Sequence, residues 1–291
     1  MTHYAARTST SVTRRHVSPA GEIETIETSI RREPAVALHR WALFQWLCVT
    51  GQWERAVQQI QIFAQLDPPW ARVAQAGREL VRAELLRTKV MAGLAKPGFV
   101  FDDVPAWMQS LLDALELAAQ GRLDASDDTR ERALDLAPLV AGRGGGHAFA
   151  WIGDSDSRLG PVCEFVTAGR YRWLPLADIA GWRIECSGSP IDLVWVSCVL
   201  TLIDGAVLRG FMPARYPVSG SEAAHDREAL QLGDTTVWQD RGRTGVFASG
   251  RKTWATSAGD FGLFELTRCT LGSAIADSCG VDQCTAKGVS E

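Results

Sequence analysis

Residues Phe149 to Pro161 read FAWIGDSDSRLGP, and Gly153-Asp154-Ser155 within them is the opening triplet of a large class of serine esterases. Such an enzyme places the Ser at a strand-to-helix turn near the start of an α/β domain. It also needs backbone, Gly and Asn donors for the oxyanion and a late Asp-x-x-His pair to take the proton. This sequence departs from each requirement. The triplet falls past the midpoint of 291 residues, Asp156 follows where an apolar residue is normal, and the chain contains no Asn. The nearest acid–His spacing, Glu222-x-x-His225, lies in a stretch that reads as a surface helix. No catalytic residue is assigned.

Asp154 and Asp156 also have the alternate spacing that begins a calcium loop. Arg158 occupies the next alternate position, however, and the Gly and Glu of that loop do not follow. The five His (3, 16, 39, 147 and 225) are scattered, with neither HExxH nor a Cys/His knuckle. Gly142-Arg143-Gly144-Gly145-Gly146 lacks the Lys-Ser/Thr of a phosphate loop and reads as a linker. No metal or cofactor is expected. The stretch reads instead as a structural turn network in which Asp154 and Asp156 accept backbone N–H bonds and Arg158 pairs with one of them. Trp151 and Trp173 should then be largely buried.

The elements that must hold this turn change character along the chain. "ALHRWALFQWLCV" is apolar on almost every side, as in a helix buried between neighbours. Gly51 ends it, and "WERAVQQIQIFAQLDP" follows with Trp53, Ala56, Val57, Ile60 and Phe63 at helical spacing. Pro34 and Pro68 are a tetratricopeptide period apart, and the Gly51-to-Pro68 spacing recurs from Gly121 to Pro138. A long helix over Ala71 to Ala92 lies between the hairpins. Beyond the Gly-rich string the periodicity shifts towards two in "YRWLP", "IAGWRIE", "LVWVSCVLTLI", "AVLRGFMP", "TTVWQ", "KTWAT" and "FGLFEL". Asp204-Gly205 predicts a two-residue type I′ hairpin, and Glu222 to Leu230 a short helix. The expected fold class is α+β, with N-terminal tetratricopeptide-like helical hairpins followed by an antiparallel-rich α+β domain. Its expected divisions are a disordered leader over 1–20, helices over 21–141, the α+β domain over 147–271 and a flexible tail over 272–291.

Bulk composition narrows the class of function. A hydrophobic content of 46% allows a packed core, and a formal charge of −4 argues against a nucleic-acid surface. The longest uncharged apolar run, Leu193 to Ile203, is far short of the roughly 20 residues of a membrane span. The polar N-terminus has no signal-peptide core. Seven Cys, an odd count without CxxC, fit free thiols in a reducing compartment, so a cytoplasmic location is expected. Eleven Trp predict several anchoring positions in the core or at an interface.

Taken together, these blocks resemble the TagJ/ImpE (SciE-type) family of type VI secretion accessory proteins. The resemblance runs from "LHRWALFQWLCVTGQWERAVQQIQIFAQLDP" through "FAWIGDSDSRLGPVCEFVTAGRYRWLP" to "DLVW", "GFMPARYPVSGSEAAHD" and "TTVWQD", or roughly Ala35 to Leu266. In the family pattern Ala ordinarily stands where this chain has Gly153 and Ser155, so the esterase triplet arises from two small-residue choices. Gly250 to Ser257 and Val218 depart from that pattern. The resemblance implies a non-enzymatic adaptor that binds the N-terminal helix of the small contractile-sheath subunit TssB. It further implies an influence on sheath handling with the ClpV ATPase, as an indirect partner, and no nucleic-acid or membrane partner. The alternative is a generic helical scaffold unrelated to secretion. Expected partner-binding residues are Trp41, Phe44, Trp46 and Trp53 in the helices, with Arg158, Tyr171, Trp173, Arg215 and Tyr216 in the second region as interface or internal network.

Overall fold

Two helix hairpins are built on one turn. In the first, α2 (Ala37–Val49) packs along α3 (Trp53–Leu66); in the second, α5 (Ala106–Ala119) packs along α6 (Leu123–Leu136). Gln52 N–H donates to Leu47 O and Gly51 N–H to Cys48 O, and Arg122 and Gly121 repeat both bonds to Leu117 and Ala118. Both glycines adopt a left-handed conformation, φ 73° and 76°, which a side chain would strain. This is the Schellman closure of a helix C-terminus. The computed structural model describes residues 18–217 and 224–272. The expected leader lies outside them except where α1 (Pro19–Arg32) begins, as do Val218, Glu222 and, apart from Gly272, the expected tail.

Helix α1 packs on α2 and buries Ile23 and Ile30. Helix α4 (Ala71–Met91), 21 residues long, passes between the hairpins and rests on a β-sheet. That sheet has nine strands in the order β1 (Gly98–Phe99), β6 (Arg170–Pro175), β5 (Val162–Thr167), β9 (Val207–Pro213), β8 (Trp195–Leu202), β7 (Ile179–Glu185), β15 (Arg268–Leu271), β2 (Gly142–Gly144) and β3 (His147–Phe149). Only the β1–β6 pair is parallel among the described pairings. A small sheet of β14 (Gly259–Gly262), β13 (Thr253–Thr256) and β4 (Ile152–Asp154) packs on one face; another joins β10 (Arg215–Tyr216), β12 (Gly245–Arg251) and β11 (Thr236–Arg241). Among the described residues the last α-helix, α7 (Ala224–Leu232), lies against β12. The chain is thus a mixed helical and sheet protein, helices first.

Strand alternation divides the core. Cys163, Phe165, Leu174, Val196, Cys198 and Leu200 face the small-sheet side with Trp254 and Leu263. Val162, Val166, Tyr171, Trp173 and Trp195 face the other way and join Leu47, Val90 and Leu111 of the helices. Helices and sheet therefore share a core.

Four expectations need correction. The Gly-rich string is a strand rather than a linker: a Cβ on Gly142 would stand 2.5 Å from the Phe149 ring and 2.8 Å from Thr270 O, so glycine there lets three strands close together. The Asp204-Gly205 hairpin has a three-residue loop. Leu202 N–H donates to Ala206 O, and only Gly205 has positive φ, where type I′ needs two such residues. Leu263–Glu265 is a 3-10 turn, not strand. Trp151 is 38% exposed, because Ile152 takes the inward direction as β4 begins.

Candidate functional site

The Asp154–Arg158 turn covers an open strand edge. β12 bonds β11 along one side and the two-residue β10 at one end of the other. Beyond β10, Ser157 N–H donates to Val246 O, Val246 N–H to Ser157 Oγ, and Ala248 N–H to Asp156 Oδ2. Asp156 is fully buried and also accepts from Arg158 N–H at 2.9 Å and Arg158 Nε at 2.8 Å. Asp154 accepts from Asp156 N–H at 2.9 Å. The turn thus supplies the ladder bonds that a missing strand length would have made. Arg158 extends over the Phe247 ring at 4.4 Å. Ser155 Oγ lies 3.2 Å from Tyr216 Oη and 3.1 Å from Trp238 Nε1. Neither partner is a base for a serine: burial pushes the Tyr216 hydroxyl well above its usual range, and Asp154 holds it at 2.5 Å.

From Asp154 a chain of charges crosses the molecule to α4. Lys252 Nζ donates to Asp154 and, at 3.0 Å, to Glu164 Oε2. Arg87 forks onto Glu164 at 2.6 and 2.9 Å and reaches Glu84 at 3.1 Å. Tyr171 Oη donates to Glu164 at 2.6 Å while accepting from Trp173 Nε1 at 2.7 Å, and Trp195 Nε1 donates to Glu84 at 3.1 Å. All these side chains are buried. Burial alone would raise the Glu164 pKa, but the Arg87 and Lys252 charges outweigh it and hold the carboxyl well below the usual range. Burial dominates at Asp154, whose pKa is raised despite Lys252. Burial opposes the Lys252 charge too, yet Asp154 and Glu164 keep it firmly protonated. With every charge answered from within the chain, the cluster is a fastening between α4, β5 and β4.

Two further clusters do the same work. Arg215 is buried and donates to Val49 O at 2.7 Å, Cys48 O at 3.1 Å and Gln231 O at 2.7 Å, closing the carbonyl ends of α2 and α7. Burial lowers its pKa to about 10, which leaves it charged at neutral pH. Asp127 of α6 accepts from Arg243 N–H at 2.7 Å, Thr244 N–H at 3.2 Å and Arg130 Nη1 at 2.9 Å. Arg243 then pairs at the surface with Asp128 and Glu131.

The sequence-derived partner residues separate by depth. Phe44, Tyr171, Trp173, Arg215 and Tyr216 lie inside the protein, where intact packing keeps them from a partner. Trp41, Trp46, Trp53 and Arg158 are half-buried. Trp41 stacks on Phe44 at 5.4 Å and meets Phe63 at 5.5 Å, and Phe63 meets Trp70 at 6.5 Å. This aromatic run leads from the core to Trp70, 49% exposed; Val36, Leu38 and Leu66, near the same ends of α2 and α3, are exposed too. Sequence reading missed Glu84, Arg87, Glu164 and Lys252. Glu164 alone carried a local signal, an acid within the apolar run "VCEFV". Among the described residues no group of three or more His, Cys, Asp or Glu is placed to hold a metal, and no helix is long and apolar enough to cross a membrane.

Three similarities bear on this arrangement. The family model for the ImpE protein matches residues 146–270. The type VI secretion system accessory component TagJ of Pseudomonas aeruginosa is 36% identical over 244 residues, which are 84% of this chain and 84% of that protein. The crystal structure of protein VPA1032 from Vibrio parahaemolyticus superposes with a TM-score of 0.79 at 23% identity, over 89% of this chain and 95% of that one. That last likeness shows a shared fold.

Proposed function

This chain belongs to the TagJ/ImpE family of type VI secretion accessory proteins, and we propose that it is a non-enzymatic adaptor that binds the N-terminal helix of the small sheath subunit TssB. Through that contact it modulates sheath assembly or ClpV-dependent recycling in the cytoplasm. The observation that carries the reading is the aromatic run from Phe44 through Trp41 and Phe63 to exposed Trp70. Leu38 lies one helical turn from Trp41, and Leu66 one turn from Phe63, and both are exposed, so apolar side chains gather towards that end of the hairpin. An amphipathic helix binds such a surface through anchors at i, i+3/4 and i+7. The identical turns at Gly51 and Gly121 support a tetratricopeptide-like reading of the hairpins. The domain limits proposed for that reading are 21–141 and 147–271.

Calorimetric titration with a synthetic peptide of the cognate TssB N-terminal helix tests the proposal, with a scrambled peptide as control. Saturable binding at micromolar Kd or tighter, about −8 kcal/mol, is expected. Trp70→Ala should weaken it at least about tenfold, as loss of an aromatic anchor does. Equal binding by Trp70→Ala would move the site elsewhere, and no binding to folded protein would remove TssB as the partner.

A further inference from the structure

The helices cover only part of the outer face of the nine-stranded sheet. Val166 on β5 and Phe211 on β9 are register partners, and Trp195 begins β8; these residues pack into the helical core. Farther along β8 and β9, and across β7, β15 and β2, no helix among the described residues packs on the same face. Two adjacent rows of register partners define it. One row runs Arg209, Val199, Arg183, Arg268; the next runs Val207, Thr201, Gly181, Thr270, Arg143. Residues directly opposite in a ladder share a face, so four arginines stand together on this one. All four are exposed, between neighbours that are buried on the inner side or only half-exposed.

The floor between them is an open depression of about 400 Å³ lined by Ala180, Gly181, Val199, Thr201 and Thr270. Glu185 is the acid in register here and pairs with Arg183 at 2.7 Å. Abundant Arg does not explain this imbalance, since the chain has 34 acidic against 30 basic residues. Arg183 and Arg268 are moreover direct cross-strand partners, an arrangement that costs stability unless something answers the charge.

We propose that this face docks an acidic amphipathic helix of a protein partner, which continues the helix layer across the bare part of the sheet. A helix about 10 Å wide spans roughly two strand spacings, and the small residues of the floor let its apolar side approach. Its acidic flanks then meet Arg183 and Arg268 on one side and Arg209 on the other. The apolar floor favours a protein segment over a nucleic acid, whose phosphates would leave Val199 and Val207 without a contact. The surface shares no residue with the Trp70 patch, so variants of one leave the other's side chains in place.

The test is fluorescence anisotropy with the full chain. The probe is a labelled helical peptide of about 18 residues, long enough to cross the face, with Leu on one side and Glu on the other. A Lys-for-Glu version and a single-stranded DNA of similar length serve as comparisons. The acidic peptide should bind in low salt, weaken as salt screens the charges, and lose at least about tenfold in Arg183→Glu/Arg268→Glu. Arg31→Glu/Arg32→Glu on α1 should change it less than about twofold, and the Lys peptide should not bind. Arg268→Thr, by removing the opposed charges, should raise Tm by about 1–2 °C. Failure of the acidic peptide to bind, or equal binding by the sheet-face variant, would overturn the proposal. So would tighter binding of DNA, or a dimer of the free protein that the sheet-face variant abolishes.

Discussion

Two polar clusters fasten helices to β-structure here, with similar residue types in different surroundings. Around Lys252 every charged side chain is buried, from Asp154 through Glu164 and Arg87 to Glu84. Around Arg243 the partners Asp128 and Glu131 are 66% and 49% exposed, and only Asp127 and Arg130 lie beneath the surface. Water can replace any partner in the outer pairs, so each contributes little. In the dry cluster no such substitute exists. Removing one member leaves its neighbours charged and unanswered, and the loss exceeds what the pair contributed when intact. The density of ion pairs therefore says little about which cluster holds the molecule together; burial decides it.

The largest effect expected from this contrast is at Lys252. Lys252→Met strands Asp154 and part of Glu164, and should cost about 3–5 kcal/mol in urea unfolding. A loss below about 1 kcal/mol, the range of exposed pairs, would erase the distinction. The buried heart of the second cluster should show itself through pH. Burial alone would raise the Asp127 pKa, but bonds from Arg243 N–H, Thr244 and Arg130 bring it down to about 2. A depressed carboxyl stabilises the fold above its unfolded pKa and loses that contribution as pH falls through the folded one. Wild type should therefore lose stability between about pH 4 and pH 2, and Asp127→Asn should show a shallower slope over that interval. Equal slopes would mean that Asp127 is not held as described. The smallest effect belongs to Arg243→Ala, which should shift Tm by less than about 1 °C and vanish in high salt. A larger shift would make the outer pairs structural after all.

Much of the helical architecture was legible because its signals are local. Gly51 and Gly121 stop helices, Asp67-Pro68 ends another, and apolar residues recur at helical spacing between them. β7, read as "IAGWRIE", matches the observed Ile179–Glu185. The turn at Asp154–Arg158 was also readable, since Asp and Ser side chains bond backbone close by in sequence. What it covers was not: the β12 edge lies about ninety residues away. Lys252 sits in "GRKTW", a polar-looking string, and its carboxylate partners, Asp154 and Glu164, lie 98 and 88 residues away. Trp151 shows the same limit on a smaller scale. One residue of strand phase separates an exposed Trp from the buried Ile152. Short strands such as Gly142–Gly144 have too few residues to show a period, and glycine reads as a break until its neighbours are known.

These placements separate holding from binding. The charged residues of "GDSDSR" close the β12 edge and join, through Lys252 and Glu164, the fastening to α4, while the Trp70 end and the arginine face are exposed. The claim beneath that separation is that Lys252 and its carboxylates act as one unit. A double-mutant cycle by urea unfolding, using Lys252→Met and Asp154→Asn, measures it. The paired variant keeps the Arg87–Glu164 fork intact, so it should lose at least about 1.5 kcal/mol less than the two single losses combined. Additivity within about 0.5 kcal/mol would show two independent side chains and contradict a fastening that works as a whole.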